Sequence, residues 1–310
     1  MYRTKGFMMG LSRFYYHCCW SLSILSLLLV SCGKSEVEVD TSVTGQLQRA
    51  MKIKNLRLRS KRLLSIADTQ FEHNDKVNGK ATIGLAADTA KQIKIAYDRG
   101  AALNSAAYTY AKHGLLDKSS AVLKESYRIV ADIEEADLAV AILAKMGEIQ
   151  LRFLDQLNTG EQMFQEAGAL AEKATKPEQK LRAKMNLAFH FHRLKRLEPR
   201  DELVQQSFAL LGEVSDARQR SDVTVDMASR LLQIECEDLA DQAFEQAEKE
   251  ATSIEDPLSQ GYALCEISGR LSNAKRVEAA QRVRDQAREV AEKVVDEGLR
   301  GELLKRIAKQ

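Results

Sequence analysis

A bulky apolar residue followed by a small one recurs at Ile66-Ala67, Met146-Gly147, Leu187-Ala188, Met227-Ala228, Ile267-Ser268 and Ile307-Ala308, with Ala106-Ala107 as the undersized member. The steps are 40, 40, 41, 40, 40 and 40 residues. A second column, Ala90, Val130, Leu170, Leu211, Ala251 and Ala291, keeps the same period. Self-similarity at this spacing means that each unit is one supersecondary element, unable to bury its apolar face except against its neighbours. Within the unit Ala101 to Ile133 there are two apolar stripes: Leu103, Ala106, Ala107, Tyr110 and Gly114, then Val122, Ser126, Ile129, Val130 and Ile133. Both follow helical spacing, so the unit is a helix hairpin. Three prolines and 6% aromatic residues leave few strand or breaker signals. The expected fold is all-α: about six antiparallel hairpins from Leu56 to Glu297, closed by a capping helix over 299–310.

Helix punctuation supports these boundaries. Pro177 and Pro257 each fall just before a first helix, where proline is tolerated at the opening position, and Asp256 can cap the helix that follows it. Pro199 is expected to open the second helix of the fourth hairpin. Asn74 and Gly114 share one phase inside the hairpin turn, as a left-handed residue after a helix end requires. Leu154, Lys195, Glu235 and Lys275 stand at that phase later on, so there the signal fades.

In the second unit, Ala107, Tyr110 and Gly114 have the spacing of the small residue, aromatic and turn glycine of the tetratricopeptide (TPR) motif, and Pro177 and Pro257 lie near where its proline closes a repeat. The chain from Leu56 onward thus resembles the TPR superfamily and its longer-repeat relatives. The resemblance implies a right-handed α-solenoid with a 40-residue period, HEAT-type helix pairs being the alternative. It also implies that first helices line a concave binding side, on which Asn104, Tyr108, Glu148, Arg152, His192 and Arg193 would face a protein or peptide partner. The Lys and Asn pattern of carboxylate-clamp members is not reproduced, so capture of a C-terminal carboxylate is not implied.

The start of the chain has a different character. Arg3, Lys5 and Arg13 precede the apolar run Trp20 to Val30, which ends at Ser31-Cys32 and gives way to the polar stretch GKSEVEVDTSV. This is the layout of an export signal, with Met1, Met8 or Met9 as its start. Leu29-Val30-Ser31-Cys32 resembles the lipobox of bacterial lipoproteins. That resemblance implies removal of residues 1–31, lipidation of Cys32, a tether over 32–43 and a repeat domain over 44–310. It further implies a cell-envelope location, with Gly33 in place of Asp compatible with the outer membrane, facing the periplasm. An uncleaved anchor over Phe14 to Ser31 and an ordinary cleaved signal are the alternatives.

Without the three basic residues before Cys32, 43 Lys+Arg face 44 Asp+Glu, which argues against a globally basic nucleic-acid binder. The segment 49–62 is nonetheless purely basic: Arg49, Lys52, Lys54, Arg57, Arg59, Lys61 and Arg62. It is a candidate for contact with an anionic membrane surface, or else a solvated helix face paired with acids from later hairpins.

Other candidates for chemistry are thin. His190 and His192 are two residues apart on a helix and point about 200° apart, so they cannot jointly ligate one ion. Cys236 and Cys265 lie too far apart along equivalent helices for a disulfide, about 16 Å. Cys236, among Glu235, Glu237 and Asp238, reads as a surface cysteine. No phosphate-loop, zinc-protease, nucleophile-elbow or C-x-x-C motif occurs. The expectation is a non-catalytic, membrane-anchored scaffold without cofactor or metal that binds another protein or peptide. An envelope enzyme or accessory domain acting on peptidoglycan or lipid, and a self-associating structural module, are the alternatives.

Overall fold

The computed structural model describes residues 42–310. The signal over 1–31, Cys32 and most of the tether lie outside the described residues. Within them are fourteen α-helices and one 3-10 turn, and no strand. No helix there is long and apolar enough to cross a membrane.

The helices pair as the period requires. A leading helix, α1 (Val43–Met51), precedes six hairpins: α2 (Leu56–Glu72) with α3 (Lys76–Lys91), α4 (Ala96–Lys112) with α5 (Leu116–Ile129), α6 (Ala136–Phe153) with α7 (Leu157–Lys173), α8 (Pro177–Arg193) with α9 (Leu197–Leu211), α10 (Ala217–Gln233) with α11 (Glu237–Thr252), and α12 (Pro257–Asn273) with α13 (Val277–Ala291). The final helix is α14 (Glu297–Ala308). It opens two residues before the expected Leu299, because Asp296 caps it and accepts from the Leu299 amide at 2.8 Å. Asp216 and Asp256 cap α10 and α12 in the same way, at the same repeat phase. Pro177 and Pro257 open α8 and α12, and Pro199 falls in the first turn of α9. Helix α1 carries Ala50, buried and forty residues before Ala90, so it has the phase of a second helix. The basic segment 49–62 is therefore not one helix face but a helix end, a turn and a helix start.

The columns read from the sequence form the core. Ile66, Ala106, Met146, Leu187, Met227, Ile267 and Ile307 are all buried, as are Ala67, Ala107, Ala188, Ala228 and Ser268. Small residues sit where the two helices of a hairpin come closest. In the second hairpin the Ser119 hydroxyl donates to the Ala107 carbonyl at 2.8 Å; in the sixth the donor is on the opposite helix, Ser268 to the Ala280 carbonyl at 3.0 Å. The third hairpin uses Gly147 and Gly160 there. A Cβ at Gly147 would stand 2.8 Å from the Phe164 ring and 3.0 Å from the Gly160 carbonyl.

The hairpin turns keep one backbone shape while their sequences diverge. Asn74 (φ 60°) and Gly114 (φ 74°) are left-handed, as expected, but so are Lys195 (59°), Glu235 (60°) and Lys275 (61°). In the third hairpin the left-handed residue is Asp155 (50°), one beyond Leu154, which absorbs the 41-residue step. The faded signal was thus one of residue type only. Packing between the two helices dictates the turn and overrides a local penalty of about 1 kcal/mol per residue.

Successive first helices, α2, α4, α6, α8, α10, α12 and α14, pack directly on one another, whereas second helices lean on their own partner and, α9 excepted, on the next first helix. First helices accordingly form the tightly packed inner side of the array, and second helices are spread along the outer side.

Candidate interaction surface

Near the middle of the inner side, one carboxylate organises four donors. Lys145, Glu148 and Arg152 stand on one face of α6 at helical spacing, and α8 brings His190 and Arg193 against them. Glu148 is fully buried. Its Oε1 accepts from Arg152 Nη1 and Arg193 Nε, both at 2.8 Å, and its Oε2 from His190 Nδ1 at 2.8 Å and Lys145 Nζ at 3.1 Å. Four donors occupy the lone-pair positions of both oxygens, so none is left for a substrate proton. Burial by itself would raise the Glu148 pKa, but the bond from His190, the Lys145 charge and the bond from Arg152 win and hold the carboxyl far below its usual range. Burial pushes His190 down despite its bond to Glu148, so the ring is neutral and donates from Nδ1. Burial likewise lowers Lys145, with the Arg193 and Arg152 charges adding to it and Glu148 opposing it.

Aromatic rings frame this cluster. Lys145 Nζ lies 4.4 Å from the centre of the Tyr108 ring, which meets Phe153 edge-on at 5.3 Å, and Arg152 lies over Phe153 at 5.1 Å. Arg193 and Arg230 both approach Phe189, at 5.8 and 5.0 Å. Further along the inner side three arginines meet two carboxylates: Asp226 pairs with Arg182 and Arg270, and Glu266 with Arg270 and Arg306. Around Glu148, by contrast, three cations share one carboxylate, and each keeps a quarter to a third of its side chain exposed (25%, 35% and 32% for Lys145, Arg152 and Arg193).

Of the six residues expected to face a partner, Tyr108, Arg152 and Arg193 lie in this surface with part of their side chains open. Asn104 and Glu148 do not face outward. Both are buried, Asn104 donating to the Ile142 carbonyl at 3.0 Å, because the neighbouring first helix covers their side of the helix. His192 points elsewhere too, toward Arg200 at the start of α9, 3.4 Å from its Nη1. The two histidines thus serve different helix contacts. Sequence reasoning missed Lys145 and the central part of His190, which stands in a column that holds Ile149 one unit earlier. The one available signal was an acid, Glu148, between Tyr108 and Phe189 in the same column.

The seven basic residues of 49–62 have mixed roles. Arg59 donates to the Ile53 carbonyl at 2.8 Å, Arg57 pairs with Asp98 on α4 at 3.0 Å, and Arg62 reaches Gln46 at 3.1 Å. Arg49, Lys52, Lys54 and Lys61 are exposed. Cys236 is half-buried and Cys265 buried, both as free thiols, and burial raises both pKa values. Among the described residues no group of His, Cys, Asp and Glu is arranged to hold a metal ion.

The helix pairing defines the class: an all-α solenoid of stacked antiparallel hairpins, consistent with a TPR-like fold. No family model matches the chain, and no curated protein does. Similar solved structures include Ton1535 from Thermococcus onnurineus NA1, 16% identical over 86% of this chain and 83% of that one, with a TM-score of 0.30. BtubC (BKLC) from P. vanneervenii is 14% identical over 81% of this chain and 91% of that one, with a TM-score of 0.33. A set of nearly identical TPR-like repeats from Podosopora anserina is 15% identical over 66% of this chain and 100% of that one, with a TM-score of 0.34. At such scores these are likenesses only, and the fold stands on the chain's own helices.

Proposed function

We propose that this chain is a non-catalytic scaffold of the bacterial cell envelope, held to a membrane through lipidated Cys32, whose inner side takes an acidic segment of a partner protein. The observation that carries the binding reading is the imbalance around Glu148, where Lys145, Arg152 and Arg193 share a single saturated carboxylate beside Tyr108, Phe153 and Phe189. Glu148 spends its lone pairs orienting the cations, and the unused guanidinium and ammonium hydrogens are left for carboxylates of the partner. Such donors are held in place before binding, so little ordering is lost on association. The exposed Lys52, Lys54 and Lys61, close after the tether, are placed to add attraction to an anionic leaflet.

The test is crosslinking in intact envelopes, comparing wild type with Cys32→Ala and with Arg152→Glu/Arg193→Glu. A partner that stays with Cys32→Ala, is lost on charge reversal and dissociates at high salt supports the inner-side reading. A partner indifferent to charge reversal refutes it, and wild-type chain recovered free of membranes refutes the anchor.

A further inference from the structure

On the outer side, two pairs of consecutive second helices, α7/α9 and α11/α13, are strapped together by an arginine that precedes the later one, while Leu115 and Cys236 stand at that phase ahead of α5 and α11. Arg196 bridges to Glu161 on α7, and Arg276 bridges to Asp241 and Glu237 on α11, both at 2.9 Å. At the same phase ahead of α7 stands Gln156, and the position on α5 that would answer it is Ser120. No arginine strap joins α5 and α7 there; Tyr127 on α5 donates to Glu166 on α7 at 3.0 Å, and beside that bond a groove of about 930 Å³ lies open between the two helices, against 510 Å³ between α11 and α13.

The groove has an apolar floor of Leu123, Met146 and Met163, and its rims carry Leu157, 60% exposed, and Tyr127, 42% exposed. Amides line it as well: Gln150, Gln156, Asn158 and Gln162. Gln150 is more than nine-tenths buried, and its Oε1 has no hydrogen-bond partner. Lys124 and Arg128 project along the α5 rim without a carboxylate partner, while Asp155 marks the opposite end.

We propose that this groove is a second binding site, distinct from the inner side, for an extended protein segment that alternates apolar and acidic residues. Each part of that description answers a feature of the site. An apolar side chain covers Leu123, Leu157 and Met163. A backbone N–H of an extended strand supplies the donor that Gln150 Oε1 lacks, which a helix, with its N–H groups used internally, does not offer. Carboxylates meet Lys124 and Arg128. An acyl chain would fill the floor but leave the amides desolvated and unpaired, which disfavours it.

The experiment is fluorescence anisotropy of the full chain with a short labelled peptide alternating Leu and Glu, and with its Leu and Lys counterpart. Saturable binding of the acidic peptide is expected below about 1 mM. Rebuilding the strap by Ser120→Glu/Gln156→Arg should weaken it about tenfold or more, and Lys124→Gln/Arg128→Gln should do the same. Because the inner side is also proposed to take acidic segments, both comparisons are repeated in an Arg152→Gln/Arg193→Gln background, where the same tenfold losses should appear, so this site and the inner-side reading fail independently. Lys124 and Arg128 are exposed, so their replacement tests binding without endangering the fold. Equal binding of the Lys peptide, undiminished binding by the strapped variant, displacement by laurate at lower concentration than by unlabelled peptide, or no saturable binding would each overturn the proposal.

Discussion

Replacing Glu148 by Ala should do more than weaken one contact, because the network lies where two apolar cores meet. One core runs from Ala50 to Leu187 and the other from Leu181 to Ile307, and α8 serves both, giving Ala183 and Leu187 to the first and Leu181, Met185 and Ala188 to the second. Glu148 ties α6 to α8 through His190 and Arg193, both at 2.8 Å. Removing a buried, paired carboxylate typically costs 3–5 kcal/mol, through the charges and donors it leaves behind. Here only His190 is stranded in the interior, since Lys145, Arg152 and Arg193 reach water and their mutual repulsion is screened. The expected loss is therefore near the lower limit, about 3 kcal/mol. In a stacked array, stability is roughly a sum of unit and interface terms, so a loss at one interface uncouples its two sides. Urea unfolding followed by far-UV circular dichroism should show a first transition lowered by about 1 M, and hydrogen exchange should show protection lost first in α6 to α8. A change under about 1 kcal/mol, or protection lost evenly from α2 to α14, would refute the reasoning.

The turn geometry makes a sign test. Lys195→Gly and Glu235→Gly should each raise stability by about 0.5–1 kcal/mol, since glycine relieves the left-handed backbone, whereas Gly114→Ala should lower it by about 1 kcal/mol; thermal melts of the three variants check this. Gly147→Ala should cost about 2 kcal/mol by pushing on Phe164 and the Gly160 carbonyl. Gly168→Ala, with open space around its Cβ, should instead gain about 0.5–1 kcal/mol, and urea midpoints read both. The pH dependence follows from His190 and Glu148, whose pKa values are both lower in the folded chain. Below about pH 6.5 the unfolded chain takes up a proton that native His190 refuses, so stability falls as pH falls, by at most about 1.4 kcal/mol per pH unit for one proton. Glu148 adds a loss of the same sign once pH drops below about 4.3. His190→Gln keeps a donor for Glu148 but should flatten urea midpoints between about pH 7 and about pH 5.

How far the sequence reaches can be judged residue by residue. Helix register was legible because a column such as Met146, Leu187 and Met227 needs only periodicity, and periodicity survives substitution of one apolar residue by another. The turn at Asn74 and Gly114 was legible through residue type, while the identical turns at Lys195, Glu235 and Lys275 were not, since there the packed helices impose the backbone on an unsuited residue. On the inner side, a helix phase places Glu148 and Asn104 toward the neighbouring first helix but does not say that they lie beneath its side chains. For the α5/α7 groove, the absence of arginine at Gln156 is visible in an alignment of repeats, yet it has meaning only once Arg196 and Arg276 are seen to reach across to the preceding second helix.

The amino-acid order alone determined that this chain is a stack of helix hairpins, how they repeat, and which columns are buried, because those properties depend on neighbours within a few turns of the same chain. Only the tertiary structure decided that Glu148 gathers four donors from two helices and that a wide groove lies between α5 and α7 where no arginine strap joins them. Those arrangements join residues about one repeat apart, at distances set by how neighbouring hairpins settle against each other and not by the spacing written in either one.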